Sequence, residues 1–180
     1  MIKKPVVINL YGGPGVGKST TAAGLYSLMK SRGYKVELVR EWIKNLAYDD
    51  RHPDLSLQLM ALAKQYRAEA PLHEKVDYII TDSPLLLNAF YTTAGMPTGI
   101  AHDYIDFVDY LGKQTKNIHY FVERCASHPY EDSGRYQTKV EAENMDDEMY
   151  AFVEREVDNL LSITTETPLH NIIPYIVGEK

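Results

Sequence analysis

The densest chemical signal in the chain is the run Gly12-Gly13-Pro14-Gly15-Val16-Gly17-Lys18-Ser19, a glycine, four residues and then Gly-Lys-Ser. This is the spacing of a phosphate-binding loop, the P-loop. Glycines remove the side chains that would keep a backbone from turning its N–H groups inward against phosphate oxygens. The candidates for that cradle are Gly13, Gly15, Val16, Gly17, Lys18, Ser19 and Thr20, and a helix opening near Lys18 would aim the positive end of its dipole at the same anions. The Lys18 ammonium would reach the β and γ phosphates of a nucleotide, and the Ser19 hydroxyl would go to the magnesium ion that bridges them. The alternative is a glycine-rich turn that binds nothing, which the strand-like run before it and the helical period after it count against.

Asp82 follows the apolar run Val76-Asp77-Tyr78-Ile79-Ile80-Thr81. A carboxylate at the C-terminal end of such a strand holds magnesium directly or through water, although an Asp there can also simply cap the turn that Pro84 favours. Glu41 closes a second strand-like segment in Val39-Arg40-Glu41-Trp42. It could accept the proton of an attacking hydroxyl, or complement the dipole of a following helix. Which of Glu41 and Asp82 would act as the general base stays open.

Residues 124–138 carry neither helical nor strand period and are expected to form a mobile lid. Arg124 and Arg135 are fixed positive charges that a closing lid could bring onto a transferring phosphoryl group, a contact that gives about 10³–10⁵ in rate elsewhere; each could equally rest in solvent. Fourteen tyrosines against four phenylalanines is a skewed ratio, and Tyr48, Tyr66, Tyr91 and Tyr130 fall where an acceptor site would be. Most are expected to be half-buried packing residues, with one or two stacking on a base. Gln58, Gln65 and Arg67 are possible acceptor contacts, with a plain surface role preferred. The six histidines show no ligand spacing.

These residues need a scaffold, and five short apolar runs alternating with stretches of helical period supply it, the pattern of an α/β fold with a parallel sheet. Val6 to Tyr11 is apolar on both faces, as a central strand covered on both sides must be. Lys18 to Lys30 is a helix stopped by Gly33, and Lys35 to Arg40 alternates like a strand nearer the edge. Asp54 caps a helix striped by Leu55, Leu59, Leu62 and Tyr66. Val76 to Thr81 is the third strand, Tyr104 to Gly112 a helix, and Ile118 to Val122 the fourth strand. Thr138 and Glu141 form a capping box for a long helix whose buried face runs from Met145 to Leu160 through Met149, Phe152, Val153 and Val157. Ile172 to Val177 is expected to be the last strand, at an edge because Pro174 cannot donate to a ladder.

The chain has 180 residues, 44% hydrophobic and 24% charged, which excludes a disordered chain and fits one domain spanning 1–180. Nineteen basic against 25 acidic residues give a formal charge of −6, which argues against a broad grip on duplex DNA and leaves room for a local basic pocket. Cys125 is the single cysteine, so a reducing, cytoplasmic setting is the simplest expectation. No run approaches the ~18 apolar residues of a membrane span, and no targeting segment is read at the start.

Among phosphate chemistries, a GTPase would show Asp-x-x-Gly after the third strand, whereas Asp82 precedes Ser83-Pro84-Leu85, and no Asn-Lys-x-Asp stretch is present to read guanine. A motor or transporter ATPase is expected to carry a larger domain. A small kinase remains. Gly12 to Ser19, Asp82 at a strand end and an arginine-bearing segment before the last long helix resemble the nucleoside and nucleotide kinase group of P-loop proteins. The stretches Gly-Gly-Pro-Gly-Val-Gly-Lys-Ser-Thr-Thr-Ala-Ala-Gly-Leu, Ile-Thr-Asp-Ser-Pro-Leu-Leu-Leu and Pro-Tyr through Gly-Arg-Tyr-Gln are similar to small ATP-binding proteins of tailed phages, which would place the protein in the host cytoplasm. The resemblance implies a three-layer, kinase-type P-loop NTPase fold with a five-stranded parallel sheet in order 2-3-1-4-5. It also implies a magnesium–ATP donor and catalytic roles for Lys18, Asp82, Glu41, Arg124 and Arg135. Glu41 matches the base position of deoxynucleoside kinases, while the Glu-Arg-Ser found after their third strand is absent. The expected reaction is transfer of the ATP γ-phosphoryl group to a nucleoside or nucleotide. The alternatives are a hydroxymethylated base in phage DNA as acceptor, and a nucleotide-dependent binding switch without a small-molecule acceptor.

Overall fold

The computed structural model describes residues 4–42, 54–125 and 138–178. Its elements are strand β1 (Val6–Tyr11), helix α1 (Lys18–Ser31), β2 (Val36–Val39), α2 (Leu55–Glu69), β3 (Tyr78–Thr81), α3 (Leu85–Thr93), α4 (Thr98–Gly112), β4 (Lys116–Glu123), α5 (Lys139–Glu156), β5 (Leu160–Thr164) and α6 (Leu169–Val177). The five strands are all parallel and lie in the order β2-β3-β1-β4-β5. β1 is central, with Ile8 opposite both Ile80 and Ile118, and its residues from Val7 to Tyr11 are buried.

Alternation along the strands sorts their side chains into two layers. Ile8, Leu10, Ile80, Tyr120, Val122 and Ile163 pack with Ala22, Leu25 and Met29 of α1 and with Ile172, Ile173 and Ile176 of α6. On the other face Tyr11 and Phe121 meet Leu62 of α2, Leu85, Leu87 and Ala89 of α3, Ile105 and Val108 of α4, and Met149, Phe152 and Val153 of α5. The result is the three-layer P-loop NTPase architecture, with both faces of a parallel sheet covered.

Helix starts follow local chemistry. The Asp54 carboxylate accepts from the Leu57 N–H at 2.9 Å and opens α2. At α5 the Thr138 hydroxyl accepts from the Glu141 N–H, and the Glu141 carboxylate accepts from the Thr138 N–H at 2.8 Å, a closed capping box.

The end of the chain departs from expectation. α5 stops at Glu156, Asn159 turns the backbone with φ 56°, and Leu160 begins the edge strand rather than ending the long helix. Ile172 to Val177 is helical, with Pro174 inside α6. Its buried residues, Ile172, Ile173 and Ile176, recur at helical spacing and seat α6 against α1. The proline forfeits one bond, to the carbonyl four residues back, in a helix only nine residues long. α3 was not expected, and Leu55 and Leu59 lie exposed at 51% and 46%, leaving Leu62 to anchor α2.

Candidate functional site

The loop from Gly12 to Gly17 joins the C-terminal end of β1 to α1. Gly12, Gly15 and Gly17 have φ of 135°, 83° and 96°, backbone that L side chains rarely adopt. At Gly12 a side chain has no room either, because a Cβ would stand 2.6 Å from the Val122 carbonyl oxygen of β4. Gly13 faces α5 so closely that a Cβ would collide with the Asp146 carboxylate and lie 3.3 Å from the Ala142 carbonyl. Val16, 1% exposed, plugs the loop into the core. Gly17 caps α1 without a side chain, so the first amides of α1 keep their donors for another acceptor. Lys18 folds back over the loop, its Nζ donating to the Gly12 and Gly13 carbonyls at 2.6 and 3.0 Å. Ser19 is partly exposed beside it in the first turn, and Thr20 is exposed.

Asp82 follows β3 and is 3% exposed. Its Oδ1 accepts the main-chain N–H of Glu41 at 2.9 Å; among the described residues Oδ2 has no hydrogen-bond partner. A buried carboxylate with one unsatisfied oxygen at the end of the strand beside the loop is a fitting cation ligand. Among the described residues no three Asp, Glu, His or Cys side chains gather as a metal cluster, so a magnesium ion held by Ser19 and Asp82 would take its other ligands from phosphate and water.

The Glu41 bond brings the end of β2 against Asp82. Trp42, the next residue, lies with its ring under Lys64 of α2, Nζ 4.8 Å from the centroid. Tyr91 of α3 packs edge-on against Phe90, ring centroids 5.2 Å apart. Burial, together with the charges of Glu41 and Asp146, pushes its phenol above the ordinary tyrosine range.

Arg124 follows β4 and is bound on three sides. Nε donates to Asp146 Oδ2 at 2.7 Å, and Nη2 donates to Asp146 Oδ1 at 3.1 Å and to the Pro14 carbonyl at 2.9 Å. With side chains 19% and 18% exposed, the pair ties β4, α5 and the phosphate loop together. Arg135, Tyr48, Tyr130 and the expected lid interior lie outside the described residues.

Two contributors escaped the sequence reading. Asp146 sits beside the Met145/Met149 stripe of α5, and an acid bordering an apolar face was its only signal. Gln65, a possible acceptor contact for which the sequence favours a surface role, is instead 5% exposed and donates to Thr81 Oγ1 at 3.0 Å and to Glu69 Oε1 at 3.2 Å. Thr81 Oγ1 in turn accepts the Ser83 N–H at 3.1 Å, so this chain fixes the turn that carries Asp82. Gln58 is bonded to Asn88 of α3, and Arg67 is exposed.

No curated protein matches the chain by sequence. Among solved structures, Chaetomium thermophilum Kti12 in complex with ADP-AlF3 is similar at 16% identity over 96% of this chain and 98% of its own, with a TM-score of 0.55. APE1195 is similar at 17% identity over 98% of this chain and 95% of its own, with a TM-score of 0.49. The family described as AAA domain matches residues 7–165, from the first strand to just past the fifth. The protein belongs to that AAA domain family and is a P-loop nucleotide-binding protein.

Proposed function

We propose that the protein transfers the γ-phosphoryl group of magnesium–ATP to a hydroxyl of a nucleoside or nucleotide. The observation that supports this reading is the Glu41 main-chain N–H on Asp82 Oδ1, which holds the residue bearing a second acid next to Asp82 at the ends of β2 and β3. Trp42 follows Glu41 directly, and a ring there, packed on one face by Lys64, is of a kind that can stack on a base with the other. That Kti12, similar in fold, forms a complex with ADP-AlF3 supports nucleotide binding by this protein.

In the reaction the acceptor oxygen forms a bond to the γ phosphorus as the bond from that phosphorus to the β–γ bridging oxygen breaks. The electron pair leaves with ADP, and the hydroxyl proton passes to the Glu41 or Asp82 carboxylate. Lys18 and the loop amides would hold the phosphates, Ser19 and Asp82 would hold magnesium, and Arg124 or Arg135 would meet charge on the transferring group. Magnesium, when bound, neutralises the developing phosphate charge. A phosphotransfer screen over nucleosides and nucleoside monophosphates tests this: ADP and phosphorylated acceptor are expected in equal amounts, and background hydrolysis alone refutes it.

One observation favours a second reading, a nucleotide-dependent binding switch. Arg124 is engaged by Asp146 and Pro14, so it couples the loop to α5. Intact ATP recovered from the protein after long incubation with magnesium and acceptors supports the switch over the kinase.

A further inference from the structure

A cavity lies on the α2/α4 side of the sheet, lined from Tyr11 of β1 to Asn117 near the start of β4. Its volume is about 510 Å³, within the roughly 300–1,000 Å³ range of small-molecule sites. It is walled by Leu85 and Val108 and by the rings of Tyr11 and Tyr66, with Glu69 and His119 among its polar groups.

The sheet surface above it is polar where a core is normally apolar. Asn9, 6% exposed, donates to Asn117 Oδ1 at 3.0 Å, and the Tyr11 hydroxyl meets His119 Nδ1 at 3.1 Å. Glu69 is 4% exposed, and Gln65 bonds its Oε1; among the described residues Oε2 accepts nothing. A buried carboxylate oxygen without a donor is costly to fold. Arg155 is matched by Glu156 and Lys113 by Asp109, Asp158 adds a further acid to the lining, and Glu69 is the deeply buried carboxylate. It sets an acceptor between apolar and aromatic walls.

We infer that this cavity is a binding site for a flat heterocycle bearing an amino group, an aminopurine or aminopyrimidine, whose N–H donates to Glu69 while its ring lies between Tyr11, Tyr66 and the leucine-lined wall. Burial raises the Glu69 carboxyl to about 7 and lowers His119 to about 4, each toward its neutral form. The site is separate from the phosphate loop but adjoins it through the chain. Tyr11 precedes Gly12, and Gln65 links Glu69 to Thr81, which precedes Asp82.

The test is two-dimensional ¹H–¹⁵N NMR of the wild-type protein titrated with 9-methyladenine and, as the comparison without N–H donors, 9-methylpurine. The amides of Gly112, Asn117 and His119 are expected to shift with 9-methyladenine, and 9-methylpurine is expected to bind about tenfold more weakly, the loss of one hydrogen bond. Glu69→Gln, close in shape, is expected to erase most of that preference. No shift at millimolar probe, shifts confined to the phosphate loop and Asp82, equal affinity for the two probes, or a preference unchanged in Glu69→Gln would each overturn the assignment.

Discussion

The amide of Glu41 lies 2.9 Å from Oδ1 of Asp82, so the ends of β2 and β3 are joined by a main-chain donor and a buried carboxylate. Asp82→Asn keeps an acceptor for that amide, and the fold is expected to survive. The change removes the charge at the unsatisfied oxygen, so magnesium-dependent turnover is expected to fall on the order of 10²–10³-fold. Rates measured across a magnesium series check this: partial recovery at high magnesium supports a cation role, and an undiminished rate refutes it.

Gly13→Ala places a methyl group against the Asp146 carboxylate. Nucleotide affinity and melting temperature are both expected to fall. Adding Asp146→Ala should restore part of the loss, because the collision then disappears; a double-mutant cycle with no coupling would show that the crowding is relieved elsewhere.

Arg124→Ala leaves the Asp146 carboxylate half-buried without its partner and frees the Pro14 carbonyl. The expected destabilisation is about 1–3 kcal/mol by urea unfolding, together with weaker nucleotide binding. A large loss of turnover at unchanged stability would instead mark a guanidinium that works only on the phosphoryl group.

The pH dependence of stability separates two cavity residues. Burial raises the Glu69 carboxyl from its ordinary 4.5 to about 7. The folded protein then holds that proton more tightly than the unfolded chain, so stability is lost as pH rises from about 4.5 through about 7. His119 is lowered from 6.5 to about 4 by burial, and its contribution is lost as pH falls through that window. The two slopes oppose one another where the windows overlap. Glu69→Gln removes the first alone, so the variant is expected to gain on the wild type as pH rises toward 7, by roughly 1–3 kcal/mol in denaturant titrations. A gap that does not vary with pH would contradict this.

The phosphate loop and the strand-end carboxylate were legible because each is carried by contiguous residues of special type: glycines forced to positive φ, and an Asp directly after a buried apolar run. The sheet order, implied by kinship, also holds. The last two elements were misread because β-branched residues with a proline resemble an edge strand, although Pro168 before Leu169 and a left-handed Gly178 after Val177 bracket a helix. Leu160 to Thr164 takes the edge instead, since it pairs with β4 from His119 to Glu123. Asp146 and Gln65 were hidden for a different reason. Each acts through a partner distant in sequence, Arg124 and Thr81, and only folding reveals such pairs.

The clamp on the phosphate loop has a thermodynamic consequence. Val122 crowds it from β4, Asp146 from α5, and Arg124 holds Pro14. A cradle braced from several directions surrenders little conformational freedom when an anion arrives, so more of the gross attraction survives as affinity.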